Sequence, residues 1–203
     1  MLTIITGQSA SGKDALARTL IKDGFTSLIS ETTRPIREGE AEGVDYFFVT
    51  KEQFNQRLKE GRYLEYRSYD TLVNNIPDTW YYASPKLTLE PEKDYVVILD
   101  VLGAKEFIDY YSSQTAVLPV FIDAKDEVRK ARAKQRGSFN QAEWDRRVRD
   151  DAPKFEMENV KQICSHIIDN NDISFEEFKT RFYEIYETFK REHEKEQEED
   201  LEL

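Results

Sequence analysis

A glycine-rich segment near the start of the chain has the residue types needed to hold a polyphosphate. It consists of Gly7, Gln8, Ser9, Ala10, Ser11, Gly12, Lys13 and Asp14. Glycines let backbone N–H groups turn toward phosphate oxygens, the start of a helix adds a favourable dipole, and Lys13 reaches the β- and γ-phosphates of a triphosphate. The segment follows a strand candidate and opens a helix candidate, the context that a phosphate-binding loop (P-loop) requires. A chance turn rich in glycine and serine is the less favoured alternative.

Asp14 departs from the strict P-loop pattern, in which the hydroxyl of Ser or Thr at this position binds Mg²⁺. A carboxylate beside a triphosphate is repelled unless it contacts the metal or pairs with an arginine. We therefore predict that Asp14 contacts Mg²⁺ directly or through water. The alternative is an acid in the first helical turn that only favours the helix dipole.

A second candidate for anion binding lies between residues 32 and 49. Two arginines three positions apart, Arg34 and Arg37, precede Tyr46 on a polar loop. Arginines of this kind can grip a monophosphate with charge-assisted hydrogen bonds. From the chemistry alone, these arginines could equally be solvated loop residues.

Two further features place charge where phosphates could bind. Asp100 ends the hydrophobic strand candidate 95–99, and such strand ends place a carboxylate near the phosphates in P-loop proteins. The segment 125–149 is the basic part of an acidic chain, which is consistent with a local phosphate clamp.

The elements that must position these residues alternate along the chain. Apolar segments rich in β-branched residues alternate with helical patterns, which is typical of an α/β fold with a largely parallel sheet. Strands are predicted at 2–6, 26–29, 46–49, 63–69, 95–99, 116–122 and 165–168. Besides the helix after Gly12, helices are predicted at 52–59, 104–111, 125–134, 142–161 and 175 to about 194. Pro153 should bend or split the helix at 142–161.

Composition excludes several classes of protein. The 203 residues suit one domain, or one core with a small mobile subdomain. The formal charge of −11 argues against a broad nucleic-acid surface, which needs surplus Lys and Arg. Seven acidic and two basic residues lie in 191–203, so we interpret this stretch as a solubilising tail, with an interaction tail as the alternative.

Cysteine usage and the first residues indicate the compartment. Cys164 is the only cysteine, so no intrachain disulfide can form. The start of the chain has no basic region before its short apolar run, and no apolar run approaches membrane length. We expect a cytoplasmic protein without a signal peptide, membrane span or membrane partner.

The spacing Thr-Thr-Arg-x-x-Arg-x-Gly-Glu-x-x-Gly-x-Asp-Tyr-x-Phe-Val over 32–49 resembles the monophosphate-binding segment of the guanylate kinase family. The resemblance extends to 61–66, 81–84, 97–100 and 132–137. It implies a P-loop three-layer α/β core with a parallel sheet, a small β-rich nucleotide-monophosphate-binding insertion and a short lid. The implied boundaries are a core at 1–31, 86–133 and 148–190, the insertion at 32–85, the lid at 134–147 and the acidic tail at 191–203.

The resemblance also implies a site for GMP. Its residues are Ser30, Arg34, Arg37, Tyr46, Glu65, Tyr82, Ser84 and Asp100. Arg34, Arg37, Tyr46 and Tyr82 would hold the phosphate, and Ser30 and Ser84 would touch the base edge. Glu65 would accept hydrogen bonds from the guanine N1–H and amino group, so AMP, which has no N1–H, should be rejected.

The same resemblance assigns residues to ATP and to the transferring phosphate. Arg132, Arg136 and Arg147 match the arginines of the lid, which with Lys13 would carry the transition-state charge. Asn170 matches a position near the adenine of ATP, and a turn-forming asparagine is the alternative. The implied reaction is MgATP + GMP giving MgADP + GDP, with Mg²⁺ as cofactor and small-molecule nucleotides as partners.

Departures from the family pattern leave the base preference open, and dGMP or a modified guanine nucleotide stays possible. They are an insertion at 70–79, Ala83 in place of Gly, and a shortened stretch after Asp100. One rival is another small-substrate kinase such as a ribose bisphosphokinase, which lacks the 34–46 segment. Another is a non-catalytic module that binds a phosphorylated peptide, which need not keep a complete P-loop. The sequence leaves a monomer and a dimer equally open.

Overall fold

A computed structural model describes residues 1–37, 39–73, 76–135 and 139–201. The strands are β1 (Leu2–Thr6), β2 (Thr26–Ser27), β3 (Glu31–Thr32), β4 (Phe47–Phe48), β5 (Tyr63–Val73), β6 (Ile76–Pro85), β7 (Tyr95–Ile98), β8 (Val117–Asp123) and β9 (His166–Asp169). The helices are α1 (Lys13–Lys22), α2 (Lys51–Lys59), α3 (Val101–Tyr111), α4 (Asp126–Gln135), α5 (Gln141–Asp151), α6 (Met157–Ile163) and α7 (Phe175–Leu201). Within the described ranges, no helix is long and apolar enough to cross a membrane.

The chain divides into two compact units. The first comprises Met1–Thr26 and Pro91–Leu203, and the second comprises Ser27–Glu90. The first unit is built on a sheet of order β2-β7-β1-β8-β9, in which β7, β1, β8 and β9 pair in parallel. Since the carboxyl ends of parallel strands share one edge, the loops after β1, β7, β8 and β9 emerge on the same side.

Helices cover both faces of this sheet because its strands carry apolar residues on both sides. Val120 and Ile122 of β8 pack in one cluster with residues of α1 and α7. Phe121, which lies between them on β8, packs instead against residues of α3 and α6. The first unit therefore has three layers, which confirms the predicted α/β class.

The second unit is a sheet of order β4-β3-β6-β5 with α2 packed on it. Phe54 of α2 is fully buried and stacks on the rings of Tyr63 and Tyr81, with centroids 5.0 and 4.9 Å away. Of the segment 70–79, read from sequence as an insertion, residues 70–73 lie on β5 and residues 76–79 on β6, while 74 and 75 lie outside the described residues. Asp70 lies opposite Thr79 and accepts a hydrogen bond from its hydroxyl at 2.9 Å.

The predicted effect of Pro153 is confirmed, because the helix expected at 142–161 is split into α5 and α6 on either side of this residue. Two expectations about elements need correction. The strand expected at 26–29 has only two residues, because β2 ends at Ser27. The last helix does not end near residue 194, since α7 continues to Leu201 through the acidic tail. The boundaries of the proposed lid stay a prediction.

Candidate nucleotide-binding sites

The loop between β1 and α1 needs glycine at both of its ends. Gly7 has φ +150°, and a Cβ there would lie 2.6 Å from the carbonyl oxygen of Ile122. Gly12 has φ +112°, and its Cβ would lie 2.5 Å from Nδ2 of Asn170. The close approach of β8 and of Asn170 therefore explains both glycines.

Ala10 is also in the left-handed region, with φ 62°, although it has a side chain. This conformation costs an L residue about 1–2 kcal/mol. The surrounding contacts must therefore hold the loop in its shape.

Side chains of α4 and of the loop after β9 hold the carbonyl groups of this P-loop. Arg129 donates to the Ser9 carbonyl at 3.0 Å. Asn170 and Arg132 donate to the Ser11 carbonyl at 2.8 and 3.2 Å. In a trans peptide the C=O and N–H groups point in opposite directions, so the N–H groups of Ala10 and Gly12 point away from these side chains. Successive N–H groups at a helix start form a site for an anion.

Lys13 and Asp14 begin helix α1. The ammonium of Lys13 donates to the Gln8 carbonyl at 2.9 Å, so it lies on the loop itself. Asp14 is an exposed residue in the first turn of the helix. The structure thus brings together all eight P-loop residues and Asn170, which is 5% exposed.

The arginines expected to neutralise the transferring phosphate have other partners in this structure. Besides Ser11, Arg132 donates to the carbonyl of Asn170 at 2.8 Å. Arg147 donates from Nε to Glu143 at 2.8 Å. The hydrogen bonds from Arg146 and then from Arg147 lower the pKa of Glu143 to about 2. Arg136 lies outside the described residues.

In the second unit, Arg34 lies at the centre of a preformed anion-binding site. Its side chain is buried, with the residue 3% exposed. It donates from Nη1 and Nη2 to the two oxygens of Glu40 at 2.7 and 2.6 Å, and from Nε to the Tyr82 hydroxyl at 3.1 Å. The guanidinium carbon lies 5.1 Å from the centre of the Tyr46 ring. Burial has the largest effect and lowers the pKa of Arg34, but the hydrogen bonds to Glu40 and the electrostatic interactions with Tyr82, Glu40 and Tyr46 together raise it above its usual value.

Arg37 contributes to this site through its backbone. Its N–H donates to Glu40 at 2.9 Å, and its side chain is exposed. The hydrogen bond from Arg34 is the main reason that the pKa of Glu40 is lowered. Glu40 is thus a carboxylate that occupies a site suited to a phosphate.

A chain of hydrogen bonds leads to a buried carboxylate on β5. The Ser84 hydroxyl donates to Oε1 of Glu65 at 2.7 Å. Since that hydroxyl has one proton to give, the Ser30 hydroxyl, 2.9 Å away, donates to Ser84. Glu65 is 8% exposed, and Nη1 of Arg67 lies 3.5 Å from its Oε2. A carboxylate held in this way can accept from two neighbouring N–H groups of a base.

Asp100 has a structural contact in the first unit. It is the N-cap of α3 and accepts the Gly103 N–H at 2.8 Å. Its predicted contact with GMP is not tested by this arrangement.

Sequence reasoning missed three residues that these sites depend on. Glu40 lies in the matched segment but had no assigned role, because a loop glutamate is usually solvated. Arg129 and Asp151 contact Ser9 across 120 and 142 residues of chain. No local pattern marks such distant partners, so only the fold identifies them.

A buried parallel strand leads into a glycine-containing loop whose amides turn to one side, and the following helix begins at a lysine. This arrangement defines a P-loop nucleotide-binding protein. The family model described as guanylate kinase matches residues 1–185. This chain belongs to the guanylate kinase family.

Individual relatives agree with this assignment. The guanylate kinase of Latilactobacillus sakei subsp. sakei (strain 23K) is 30% identical over 167 residues, which cover 77% of this chain and 76% of the relative. That of Oceanobacillus iheyensis (strain HTE831) is 35% identical over 147 residues, 70% of this chain and 66% of the relative. The crystal structure of guanylate kinase from Anaplasma phagocytophilum has a TM-score of 0.61 at 20% identity, covering 93% of this chain and 85% of that one. At this identity the structural likeness supports the fold.

Proposed function

We propose that this protein transfers the γ-phosphate of ATP to GMP or dGMP, giving GDP or dGDP. The observation that carries the proposal lies in the second unit. A buried arginine fork, Arg34, already holds an anion there, and the same sheet presents a buried carboxylate, Glu65. One group suits the phosphate of a guanine nucleotide and the other suits its base.

Phosphoryl transfer requires mainly that the protein align the two substrates and neutralise the charge on the transferring phosphate. In the proposal, the amides of Ala10 and Gly12 and the ammonium of Lys13 hold the β- and γ-phosphates. Arg132 and Arg147 exchange their present partners for the transferring group, and Arg136 contacts the same group. Asn170 lies near the adenine. No histidine or catalytic base is required.

For the monophosphate, the phosphate takes the Arg34 fork that Glu40 occupies in this structure, with help from Arg37, Tyr46 and Tyr82. The guanine N1–H and amino group donate to Glu65, while Ser30 and Ser84 contact the base edge. Asp100 is assigned to GMP by the resemblance to the family. Adenine would leave the buried carboxylate without a matching N1–H donor, and such a mismatch is strongly rejected.

The residues present fit a magnesium ion carried by the nucleotide. Mg²⁺ prefers oxygen ligands, keeps several waters and usually takes one or two carboxylates together with substrate phosphates. Asp14 offers an exposed carboxylate beside Lys13, and among the described residues no group of three or more His, Cys, Asp or Glu forms a separate metal cage. When bound, the ion neutralises phosphate charge. A role of Asp14 in the helix dipole alone is the alternative.

A cytoplasmic location is part of the proposal. It is supported by the single cysteine of the sequence, which excludes an intrachain disulfide, as is usual for proteins of a reducing compartment. Cys164 is buried, and burial raises the pKa of its thiol to about 12.

An ADP-release assay with MgATP and a panel of monophosphates tests the function. GMP or dGMP should accelerate release, with AMP at least about 1,000-fold less effective in kcat/KM. CMP, UMP and dTMP complete the panel. Acceleration by another base would place the error around Glu65, whereas no acceleration by GMP or dGMP would overturn the proposal and favour a binding module.

A further inference from the structure

Both polar groups of the Ser9 backbone are held by charged side chains. The N–H of Ser9 donates to Oδ2 of Asp151 at 2.7 Å. The carbonyl accepts from Nη1 of Arg129 at 3.0 Å. Asp151 is the last residue of α5 and Arg129 lies in α4, so two helices distant in sequence hold one residue of the P-loop.

Arg129 is fixed in place by its own surroundings. It is fully buried, at 0% exposure. It donates to the Ala124 carbonyl at 3.1 Å and to Asp126 at 2.5 Å, and its guanidinium carbon lies 5.6 Å from the centre of the Trp144 ring. A buried cation is costly without such partners. Because each partner restricts it, the guanidinium is a fixed donor rather than a mobile surface group.

The two contacts set the orientation of two consecutive peptide groups. Anchoring the Ser9 carbonyl turns the Ala10 N–H to the opposite side, where phosphate is proposed to bind. Anchoring the Ser9 N–H likewise fixes the direction of the Gln8 carbonyl, which accepts the Lys13 ammonium at 2.9 Å. The left-handed Ala10, with φ 62°, follows directly, so the anchors also oppose relaxation of its backbone.

We propose that Arg129 and Asp151 are positioning residues that hold the P-loop in the shape that accepts ATP. The inference rests on the proposed function. α4 also carries Arg132 and α5 carries Arg147. Each of these two helices therefore carries one arginine proposed to bind the transferring phosphate and one side chain that orients the backbone amides of the P-loop.

The test compares Asp151→Ala, Asp151→Asn and Arg129→Met with the wild type. Affinity for MgATP is measured by titration calorimetry, and the KM values for ATP and GMP by ADP release. Charged hydrogen bonds of this kind are worth about 10- to 100-fold in a binding constant. Asp151→Ala and Arg129→Met should weaken ATP binding by about that factor with the KM for GMP unchanged. Asp151→Asn keeps an oxygen that can accept the Ser9 N–H and should stay within about threefold of the wild type.

Matched controls are Asp145→Ala and Arg149→Met, exposed residues of α5, which should leave both KM values unchanged. Arg129→Met removes a buried cation and could prevent folding, so its thermal unfolding is measured as a check. The Asp151 variants provide an independent test, because Asp151 is only half-buried. Unchanged or tighter ATP binding by Asp151→Ala would overturn the inference, as would an equal rise in both KM values. So would an Asp151→Asn protein as impaired as Asp151→Ala.

Failure of the proposed function has a different signature. A wild type that binds MgATP but does not phosphorylate GMP or dGMP would refute the proposed reaction, while the ATP affinities of the variants would still decide the role of Asp151. A wild type that does not bind MgATP would overturn both.

Discussion

Arg34 and Glu40 form a two-point ion pair, with Nη1 to Oε2 at 2.7 Å and Nη2 to Oε1 at 2.6 Å. A phosphate presents oxygens in the same arrangement, and Arg34 is buried with its fork fixed toward them. A nucleotide that binds here must take the place of a carboxylate from the same loop. The pair therefore links substrate binding to the conformation of the segment that carries Glu40.

Arg34→Ala should raise the KM for GMP by about 10- to 100-fold and leave the KM for ATP unchanged, because a charged two-point contact contributes about that factor. Steady-state kinetics with each substrate varied in turn makes the measurement. Arg62→Ala is the matched control, since Arg62 pairs with Glu60 and its side chain is 63% exposed. A rise in the KM for ATP alone would contradict the assignment of Arg34 to the monophosphate.

Lys13→Met should lower kcat by more than about 100-fold, because removing a charge that stabilises the transition state acts on turnover. The KM for GMP should change little. The comparison is with Lys22→Met, an exposed lysine in the last turn of the same helix. If Lys13→Met raised the KM for GMP at unchanged kcat, the two phosphate sites would have to be exchanged.

Glu65→Gln tests whether Glu65 recognises the guanine base. The substitution keeps the size of the side chain but replaces one acceptor oxygen with a donor, which faces the donors of guanine. We expect kcat/KM for GMP to fall by about 100-fold while the low activity with AMP does not fall in parallel. Glu60→Gln, on the exposed end of α2, is the control. An equal loss with GMP and AMP would assign Glu65 a structural role only.

The sequence predicts the sites whose residues are close together along the chain. The P-loop and the 32–49 segment are short, and their glycines, lysine and arginines carry recognisable chemistry. The alternation of apolar strands with helical patterns likewise predicts the α/β core, because β7, β1 and β8 carry buried apolar residues on both faces of the sheet.

Contacts between distant segments were not predictable in the same way. Arg129 has no local signature that separates it from Arg132, and only the fold shows that it is fully buried. The prediction for the end of the last helix is also wrong, because it interprets the acidic stretch 191–203 as a solubilising tail and expects the helix to end near residue 194. Glu, Lys and Gln are strong helix formers, so α7 extends through this stretch to Leu201.

Ala10→Gly should stabilise the protein, which is unusual for a substitution to glycine. Ala10 has φ 62°, and relief of the left-handed conformation outweighs the added freedom of the unfolded chain, for a net gain of about 0.5–1 kcal/mol. Ala15→Gly, at an exposed position inside α1, should instead lose about 1 kcal/mol. Urea unfolding of the three proteins measures both changes. Equal destabilisation by the two substitutions would show that the Ala10 methyl group matters more than its backbone angle.

The stability of the protein should depend on the ionisation of Glu143 at pH values below the range in which a glutamate usually titrates. Arg146 donates to it at 2.8 and 2.9 Å and Arg147 at 2.8 Å, and these bonds lower its pKa from 4.5 to about 2. Because the folded pKa is the lower one, the stabilisation is fully present above pH 4.5 and is lost as the pH falls toward 2.

The Glu143 carboxylate is 39% exposed, so solvent screening should limit the effect to less than about 1 kcal/mol. The Tm of Glu143→Gln should therefore lie slightly below that of the wild type at pH 7, and the difference should shrink steadily below pH 4.5. Glu127→Gln, an exposed acid in the first turn of α4, is the control. A carboxyl carbon of Glu143 that titrates near 4.5 by NMR would show that the two arginines do not hold it in solution. In that case Arg147 would already be available to a phosphate in the free protein, with no carboxylate to displace.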